Sequence, residues 1–194
     1  MKRLVFAIFA CYLLFNGTNY SQAKIKNPVL KWTTWALLQA IPSPTYFEDR
    51  DNNNSGLKFG LEWQVIPLSY SFNTNKYLSK INVLFINPVK RFSGSVETFF
   101  EPSLTIGDYK YASLKKFMLK TGIRIVLPAA HGGEYLAFSI GAGYYRQNSV
   151  INEKYDGVTY EAAAYTLFGM LGLKFNYNQN GLSRYNAGIY FKYY

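Results

Sequence analysis

The chain contains very little cysteine and histidine, and this excludes several classes of protein. Among its 194 residues, Cys11 is the single cysteine and His131 the single histidine. A disulfide framework needs more cysteine, and a structural zinc site needs more cysteine and histidine ligands, so we expect neither a disulfide nor a bound metal. No glycine-rich phosphate loop opens a helix after a strand, so we expect no cofactor. After residue 23, no segment stays apolar for the roughly 18 residues that a membrane-spanning helix needs.

The first residues are typical of a secretory signal peptide. Met1-Lys2-Arg3 provides a basic start, residues 4–15 are apolar, and Ser21-Gln22-Ala23 provides small residues two positions apart. The apolar run is too short to cross a bilayer as a helix. We therefore predict a cleavable signal peptide at 1–23 and one exported domain at 24–194. A lipoprotein signal ending at Cys11 is the alternative, and it also leads to export.

Aromatic residues are abundant although the chain is not hydrophobic on average. They make up 19% of the sequence, with 18 Tyr and 15 Phe, while the mean hydropathy is −0.09. A soluble core would rely on Leu, Ile and Val. Belts of aromatic residues around a polar lumen are typical of a membrane β-barrel, which is the one spanning structure besides a helix that pairs every backbone group. A soluble, aromatic-rich β-sandwich remains an alternative on composition alone.

Turn-forming residues divide the exported part into eight strand-like segments. Their approximate bounds are 29–41, 57–72, 78–87, 94–104, 116–127, 134–146, 158–176 and 181–193. Strands of about 9–11 residues suffice to cross a bilayer at a tilt. We therefore predict an all-β fold, a single antiparallel up-and-down transmembrane β-barrel of about eight strands. Because a closed barrel has no edge strand, Pro67 predicts a bulge or a kink in the second segment.

Within the segments, large apolar side chains alternate with small or charged ones. The large residues that share one face are Phe117, Leu119 and Ile123 in the fifth segment, Leu136, Phe138 and Ile140 in the sixth, and Tyr165, Leu171 and Leu173 in the seventh. Ala137 and Ser139 share the other face of the sixth segment. A narrow barrel in lipid needs the large apolar residues outside. A soluble, secreted lipocalin-like barrel would invert this arrangement around an apolar cavity, and it is an alternative.

The same alternation places charged residues on the lumen side. Because an isolated buried ion is costly, we predict that these charges pair in an interior network. Its predicted members are Glu62, Glu97, Glu101, Lys120, Arg124, Lys174 and Arg184, and Lys58 and Lys192 share their parity.

The C-terminal segment resembles the β-signal that the bacterial barrel-assembly machinery recognises. Asn186 matches its polar position, Gly188 its glycine, and Phe191 and Tyr193 its hydrophobic pair, although Tyr194 extends one residue beyond the usual end. With the signal peptide and the alternating segments, the chain resembles the small eight-stranded outer-membrane β-barrels, the OmpX-like and OmpA-barrel proteins. The resemblance implies the outer membrane of a Gram-negative bacterium and assembly by that machinery. It implies no particular activity, because such barrels serve unrelated functions.

The net charge of +10 falls to about +8 when Lys2 and Arg3 are removed with the signal peptide. Basic residues near strand ends can pair with lipid phosphates, including those of lipopolysaccharide. We expect a non-enzymatic outer-membrane barrel with a structural, surface or accessory role, with lipid as its partner, no nucleic acid and no identified protein partner. A narrow channel for ions or small solutes is an alternative, although side chains fill an eight-stranded barrel.

A lipid A-modifying enzyme is a further alternative. Such chemistry commonly uses Ser with His and a carboxylate. His131 and Glu134 lie in a glycine-containing loop, and Ser43 is the candidate nucleophile, with Ser93 or Ser95 as substitutes. No lipid A deacylase or acyltransferase motif surrounds them, so a non-enzymatic role is favoured.

Overall fold

The computed structural model describes residues 41–191, except 52–53, 75, 79–87, 152 and 168. These residues form strands, one helical turn (α1, Pro88–Phe92) and a short 3-10 turn (His131–Gly133). The strands are β1 Ser43–Arg50, β2 Ser55–Glu62, β3 Ser69–Ser71, β4 Lys76–Tyr77, β5 Ser95–Thr105, β6 Leu114–Ala130, β7 Leu136–Ser149, β8 Lys154–Thr166, β9 Leu171–Asn178 and β10 Tyr185–Phe191. In the described part of the chain, no helix is long and apolar enough to cross a membrane.

Eight of these strands close into an antiparallel barrel. Around the barrel the order is β1, β2, β5, β6, β7, β8, β9 and β10, and β10 pairs with β1 to complete the ring. Strand β3 continues the path of β2 along β5, and β4 pairs with β3. The prediction of an all-β, antiparallel barrel of about eight strands is therefore confirmed.

The bulge expected at Pro67 is present between β2 and β3. Residues 63–68 leave the regular ladder but keep contact with β5, because the Trp63 N–H donates to the Pro102 carbonyl at 2.9 Å and the Thr98 N–H donates to the Leu68 carbonyl at 2.9 Å. An isolated bridge joins Val65 to Phe100. The predicted segment 57–72 is thus one strand path with an interruption. The interruption takes Pro67, which has no N–H to donate, out of the regular ladder.

The predicted segment 158–176 is wrong as one strand, because it is the two strands β8 and β9. The chain turns between them, where Leu167 and Gly169 have positive φ angles of 52° and 70°. The alternation restarts after this turn. Tyr165, which the sequence assigned to the outer face, is therefore buried inside the barrel with 1% exposure.

Strand β1 was missed, because Pro42-Ser43-Pro44 and the stretch from Asp49 suggested turns. Pairing with β2 over its whole length and with β10 keeps Pro44 in an extended conformation, and this tertiary context outweighs its turn preference. The predicted segments 29–41 and 78–87 lie outside the described residues except at Ile41 and Leu78, neither of which is in a strand. The predicted signal peptide at 1–23 also lies outside them.

The two ends of the barrel differ. The loop end carries the loop 106–113, the connection 179–184 and the described residues that follow β1 and β7, and the helix end carries α1, the turn 131–135 and the described residues between β8 and β9. At the helix end, Gly133 and Gly169 adopt φ angles of +92° and +70° and lie against Phe92. A Cβ atom at Gly133 would overlap the backbone carbonyl of Phe92, and one at Gly169 would overlap its ring. Both glycines therefore make room for α1.

Gly133→Ala should destabilise the barrel more than Gly132→Ala. Both residues have positive φ, but a Cβ at Gly132 meets nothing within 4 Å. We expect Gly132→Ala to lower the free energy of unfolding by about 1 kcal/mol through its left-handed backbone alone. Gly133→Ala should cost roughly 2 kcal/mol more, because α1 must move. Urea unfolding of both variants measures the difference, and equal losses would show that the contact with Phe92 is unimportant.

Candidate functional site

Eight charged side chains fill the middle of the barrel and form the interior charge cluster. Each is at most 5% exposed. Four are acidic and four are basic, so their formal charges cancel. They are Glu62, Glu97, Glu101, Glu161, Arg91, Lys120, Arg124 and Lys174.

The half of the cluster nearer the helix end is organised around Glu97. Arg91 donates from Nε to Glu97 Oε2 at 2.7 Å and from Nη2 to Oε1 at 2.6 Å. Arg124 donates from Nε to the same Oε1 at 2.5 Å. One carboxylate thus accepts from two guanidinium groups, and the bidentate pair fixes the orientation of Arg91.

Arg124 links this half to the rest of the cluster. Its Nη1 donates to Glu101 Oε1 at 3.0 Å and to Glu161 Oε1 at 2.7 Å. Lys174 Nζ then donates to Glu101 Oε2 at 2.7 Å and also contacts Glu62. Ion pairs therefore continue across the barrel.

Lys120 and Glu62 complete the cluster on the opposite side, with Nζ and Oε2 2.5 Å apart. The β5–β6 register explains why the sequence brings these charges together, because Glu97 lies opposite Arg124 and Glu101 lies opposite Lys120. Opposite charges at facing positions stabilise the strand pair as well as the cluster. Removal of one partner would leave a buried ion without compensation.

The structure places six of the seven sequence-predicted network residues in the cluster. Arg184 is the exception, because it is exposed on the connection before β10, where strand parity does not apply. Lys58 is half-buried near Gly107, and Lys192 lies outside the described residues.

Sequence reasoning missed Arg91 and Glu161. Arg91 lies in α1, outside any strand, so no alternation pointed to it. Glu161 shares the inward face with Ala163 and Tyr165, and it was lost because β8 and β9 were treated as one strand. A turn predicted at Gly169 would have divided the segment into two strands and allowed Glu161 to be placed on the inward face.

Aromatic side chains close the helix end of the barrel below the cluster. Arg91 Nη1 donates to the Tyr190 hydroxyl at 2.9 Å. The Phe92 and Tyr165 rings lie 5.1 Å apart, and Tyr165 and Tyr190 make an edge contact at 4.9 Å. Because all three rings are 1% exposed, α1 and these tyrosines fill this mouth.

The loop 106–113 covers the other mouth, and Asp49 holds it there. The buried Asp49 carboxylate accepts three backbone N–H groups, from Lys110 at 2.6 Å, Tyr111 at 3.0 Å and Ala112 at 2.8 Å. The Tyr109 hydroxyl accepts from Gln147 at 3.2 Å, and burial raises the pKa of this phenol to about 12. Tyr109 is therefore neutral at ordinary pH, as its packed position requires.

The outer surface of the barrel is an apolar belt. All eight barrel strands contribute large apolar or aromatic side chains that are exposed around the ring. They are Tyr46, Leu57, Phe59, Val96, Phe100, Leu104, Phe117, Ile123, Ile125, Leu127, Phe138, Ile140, Tyr144, Val158, Tyr160, Leu173, Phe175, Tyr185, Ile189 and Phe191. Their extent far exceeds the apolar patches that monomeric soluble proteins leave exposed. Charges inside and apolar residues outside are the reverse of a soluble domain.

Exposed charge is concentrated at one end of the barrel. Apart from Lys90 and Glu134, every described charged side chain that is not buried lies at the loop end. These residues are Glu48, Arg50, Asp51, Lys58, Asp108, Lys110, Lys115, Lys116, Arg146, Glu153, Lys154, Asp156 and Arg184. The loop end is thus a charged rim above the apolar belt.

The candidate catalytic residues do not come together. His131 is exposed in the β6–β7 turn beside Tyr135, with ring centroids 4.6 Å apart, and Glu134 lies in the same turn. Ser43 lies on the far side of the ring, where its hydroxyl donates to the Phe191 carbonyl and accepts from the Phe191 N–H, both at 3.1 Å. Ser93 and Ser95 donate to backbone carbonyls of α1.

Within the described residues, no group of three or more His, Cys, Asp and Glu side chains lies close enough together to hold a metal ion.

Asn186, Gly188 and Phe191 of the predicted β-signal lie on β10, the strand that closes the ring. Asn186 is buried in the lumen, and Phe191 points outward. At Gly188 a Cβ atom would come within 2.6 Å of Thr45 Oγ1 and 2.8 Å of the Pro44 carbonyl, so the glycine permits close pairing with β1. Tyr193 lies outside the described residues.

Comparisons with protein-family models, curated proteins and solved structures gave no match for this chain. What the protein does must therefore be inferred from the geometry of the interior charge cluster, the apolar belt and the charged rim.

Because the charges in the cluster balance, removal of one acidic residue should partly restore the stability lost when one basic residue is removed. Arg124→Met should lower the free energy of unfolding by about 3 to 5 kcal/mol, because three carboxylates lose a buried partner. Adding Glu161→Gln restores equal numbers of opposite charges and should recover part of that loss. Urea unfolding of the single and double variants measures both effects.

The matched control is Arg146→Met, which removes an exposed arginine at the loop end and should change stability by less than about 1 kcal/mol. A double variant that is less stable than Arg124→Met alone would contradict charge balance as the organising constraint.

Proposed function

We propose that this protein is an integral outer-membrane barrel with a filled interior and a structural, surface or accessory role that is not enzymatic. Its partner in this role is the surrounding lipid, including lipopolysaccharide. The barrel-assembly machinery would insert it, using the β10 residues Asn186, Gly188 and Phe191 together with Tyr193. These assignments extend the resemblance to small outer-membrane barrels.

The single observation that carries the proposal is the inverted distribution of polarity. A closed ring of strands pairs its backbone groups internally, so it can enter hydrocarbon without unpaired N–H and C=O groups. All eight strands contribute outward side chains to the apolar belt, while eight charged residues are buried and paired inside. In water that belt would be a large aggregation-prone surface, whereas in a bilayer it is the favoured contact.

The charged rim supports one orientation in the membrane. Lysine and arginine side chains at the loop end match the phosphates of a lipopolysaccharide surface, because charge-assisted hydrogen bonds to phosphate are among the stronger polar contacts. The helix end exposes few charges in the described residues. Strand β1 begins at this end and β10 ends there. We therefore place the loop end at the cell surface.

The filled interior favours this role over a channel or an enzyme. Glu62, Glu101, Lys120 and Arg124 are fully buried, so the level of the cluster leaves no open path for solutes. The two mouths are covered by α1 and by the loop 106–113. A hydrolase or acyltransferase would need a nucleophile close to its base, and Ser43 and His131 lie on opposite sides of the ring.

The proposal predicts that charge on the belt is costly and that charge on a loop is not. Ile140 on β7 and Val150 in the β7–β8 turn are comparably exposed, at 61% and 64%. Ile140→Arg should lower the free energy of unfolding in lipid vesicles by about 2 to 4 kcal/mol, because Ile140 would face the hydrocarbon interior. Val150→Arg should change it by less than about 0.5 kcal/mol.

Urea titration of vesicle-reconstituted protein, followed by heat-modifiability on a gel, provides the measurement. Equal stabilities of the two arginine variants, in a protein that stays in aqueous solution without detergent, would contradict the membrane assignment and favour a soluble barrel.

A further inference from the structure

A groove crosses the apolar belt on the side formed by β7, β8, β9, β10 and β1. Its volume is about 770 Å³. Small and large outward residues alternate around the ring at this level, because the strand register places them in one row. The row runs through Ile140, Ala162, Phe175, Ala187 and Tyr46. The alanines lower the surface between the larger side chains, which leaves a slot rather than a smooth wall.

A group of tyrosines borders the groove on its loop-end side. Tyr160 and Tyr177 are stacked with centroids 6.4 Å apart, and Tyr177 and Tyr185 lie 5.3 Å apart. Each is two residues from a groove residue of its own strand, in the direction of the loop end. Tyrosines prefer the level at which hydrocarbon meets polar head groups. The groove therefore lies at the depth of lipid acyl chains.

A small polar pocket lies beyond the tyrosines, where β1 and β10 meet at the loop end. Its volume is about 140 Å³, and it is lined by Arg50, Asp51, Gly181, Leu182 and Arg184. Arg50 has half of its side chain exposed and lies 3.9 Å from Glu48. The Glu48 carboxylate accepts the N–H groups of Arg184 and Tyr185 at 3.1 and 3.2 Å, so it also holds the two strands together. We name this feature the arginine pocket.

The spacing of groove and pocket fits one lipid molecule. Tyr46 and Arg50 are four residues apart on β1, which corresponds to about 13 Å along the strand. One leaflet contributes about 15 Å of hydrocarbon. A head group held at the arginine pocket would therefore place its acyl chain in the groove.

We propose that the groove and the arginine pocket together bind one phosphate-bearing membrane lipid. Its acyl chain lies in the groove, its phosphate accepts from the guanidinium groups of Arg50 and Arg184, and Asp51 accepts from head-group hydroxyls or an amine. This inference rests on the proposed membrane location and adds to it a specific lipid site.

Native mass spectrometry of the full-length protein in detergent tests the site. The probes are dioleoyl phosphatidylglycerol and dioleoylglycerol, which has the same chains without the phosphate. Two variants alter the site: Ala187→Phe fills the groove, and Arg50→Gln with Arg184→Gln removes the phosphate donors. Two controls alter positions outside the site: Thr121→Phe on the outer face of β6, which does not line the groove, and Lys116→Gln with Arg146→Gln on the charged rim.

We expect the native protein and both controls to retain phosphatidylglycerol in preference to dioleoylglycerol. Each site variant should bind phosphatidylglycerol about tenfold more weakly, as the loss of a charge-assisted contact or of chain packing implies. Heat-modifiability on a gel confirms that each variant is folded. Equal retention of the two probes, or equal losses in site and control variants, would overturn the proposal.

The outcome also separates this site from the membrane assignment. Native protein that enters vesicles but binds phosphatidylglycerol without selectivity would remove the site and leave the outer-membrane role standing. Native protein that stays out of vesicles but binds phosphatidylglycerol selectively would remove the outer-membrane role and leave a lipid site on a soluble barrel.

Discussion

Charged groups inside a closed barrel must be paired, because a buried ion without a partner is costly. Four carboxylates and four cations share the interior of this barrel, and Arg124 contacts three of the carboxylates. These residues come from β2, β5, β6, β8, β9 and α1, so the cluster can form only when the strands have their native register. A slip of one residue would turn the charges of a strand outward and its apolar residues inward. The cluster thus specifies the barrel as well as filling it.

The same constraint joins the ends of the barrel to its middle. Arg91 belongs to α1, yet its pair with Glu97 makes the helical turn part of the interior. The next residue, Phe92, packs its ring against Tyr165 and Gly169, and its backbone carbonyl lies against Gly133. The two glycine turns therefore both contact α1. At the loop end, Asp49 binds the loop 106–113 through backbone N–H groups alone. Because the interior is filled, any partner of this molecule would have to bind the outer surface, at the apolar belt or at the charged rim.

Much of this arrangement follows from the sequence, and the failures have physical causes. Period-two alternation predicted the outward face of β6 and β7 and six residues of the cluster, because side-chain parity in a strand is fixed by backbone geometry. It failed at Tyr165 and Glu161, where a turn restarts the parity, and at Arg184, which is outside a strand. The sequence did not predict β1, because Pro44 suggested a turn and the pairing of β1 with β2 and β10 depends on residues far away in the chain. Arg91 could not be predicted at all, since its role depends on how a short helix folds back into the ring.

We propose that the belt faces hydrocarbon while the rim faces water. A fluorophore attached to single cysteines at Ile140 and Phe175 in the belt and at Lys154 in the rim, in protein reconstituted into vesicles, tests this. Lipids brominated deep in their chains should quench the belt probes strongly and the rim probe weakly, and iodide in the water should do the opposite. Belt probes that iodide quenches as readily as the rim probe would show that the belt does not lie in hydrocarbon.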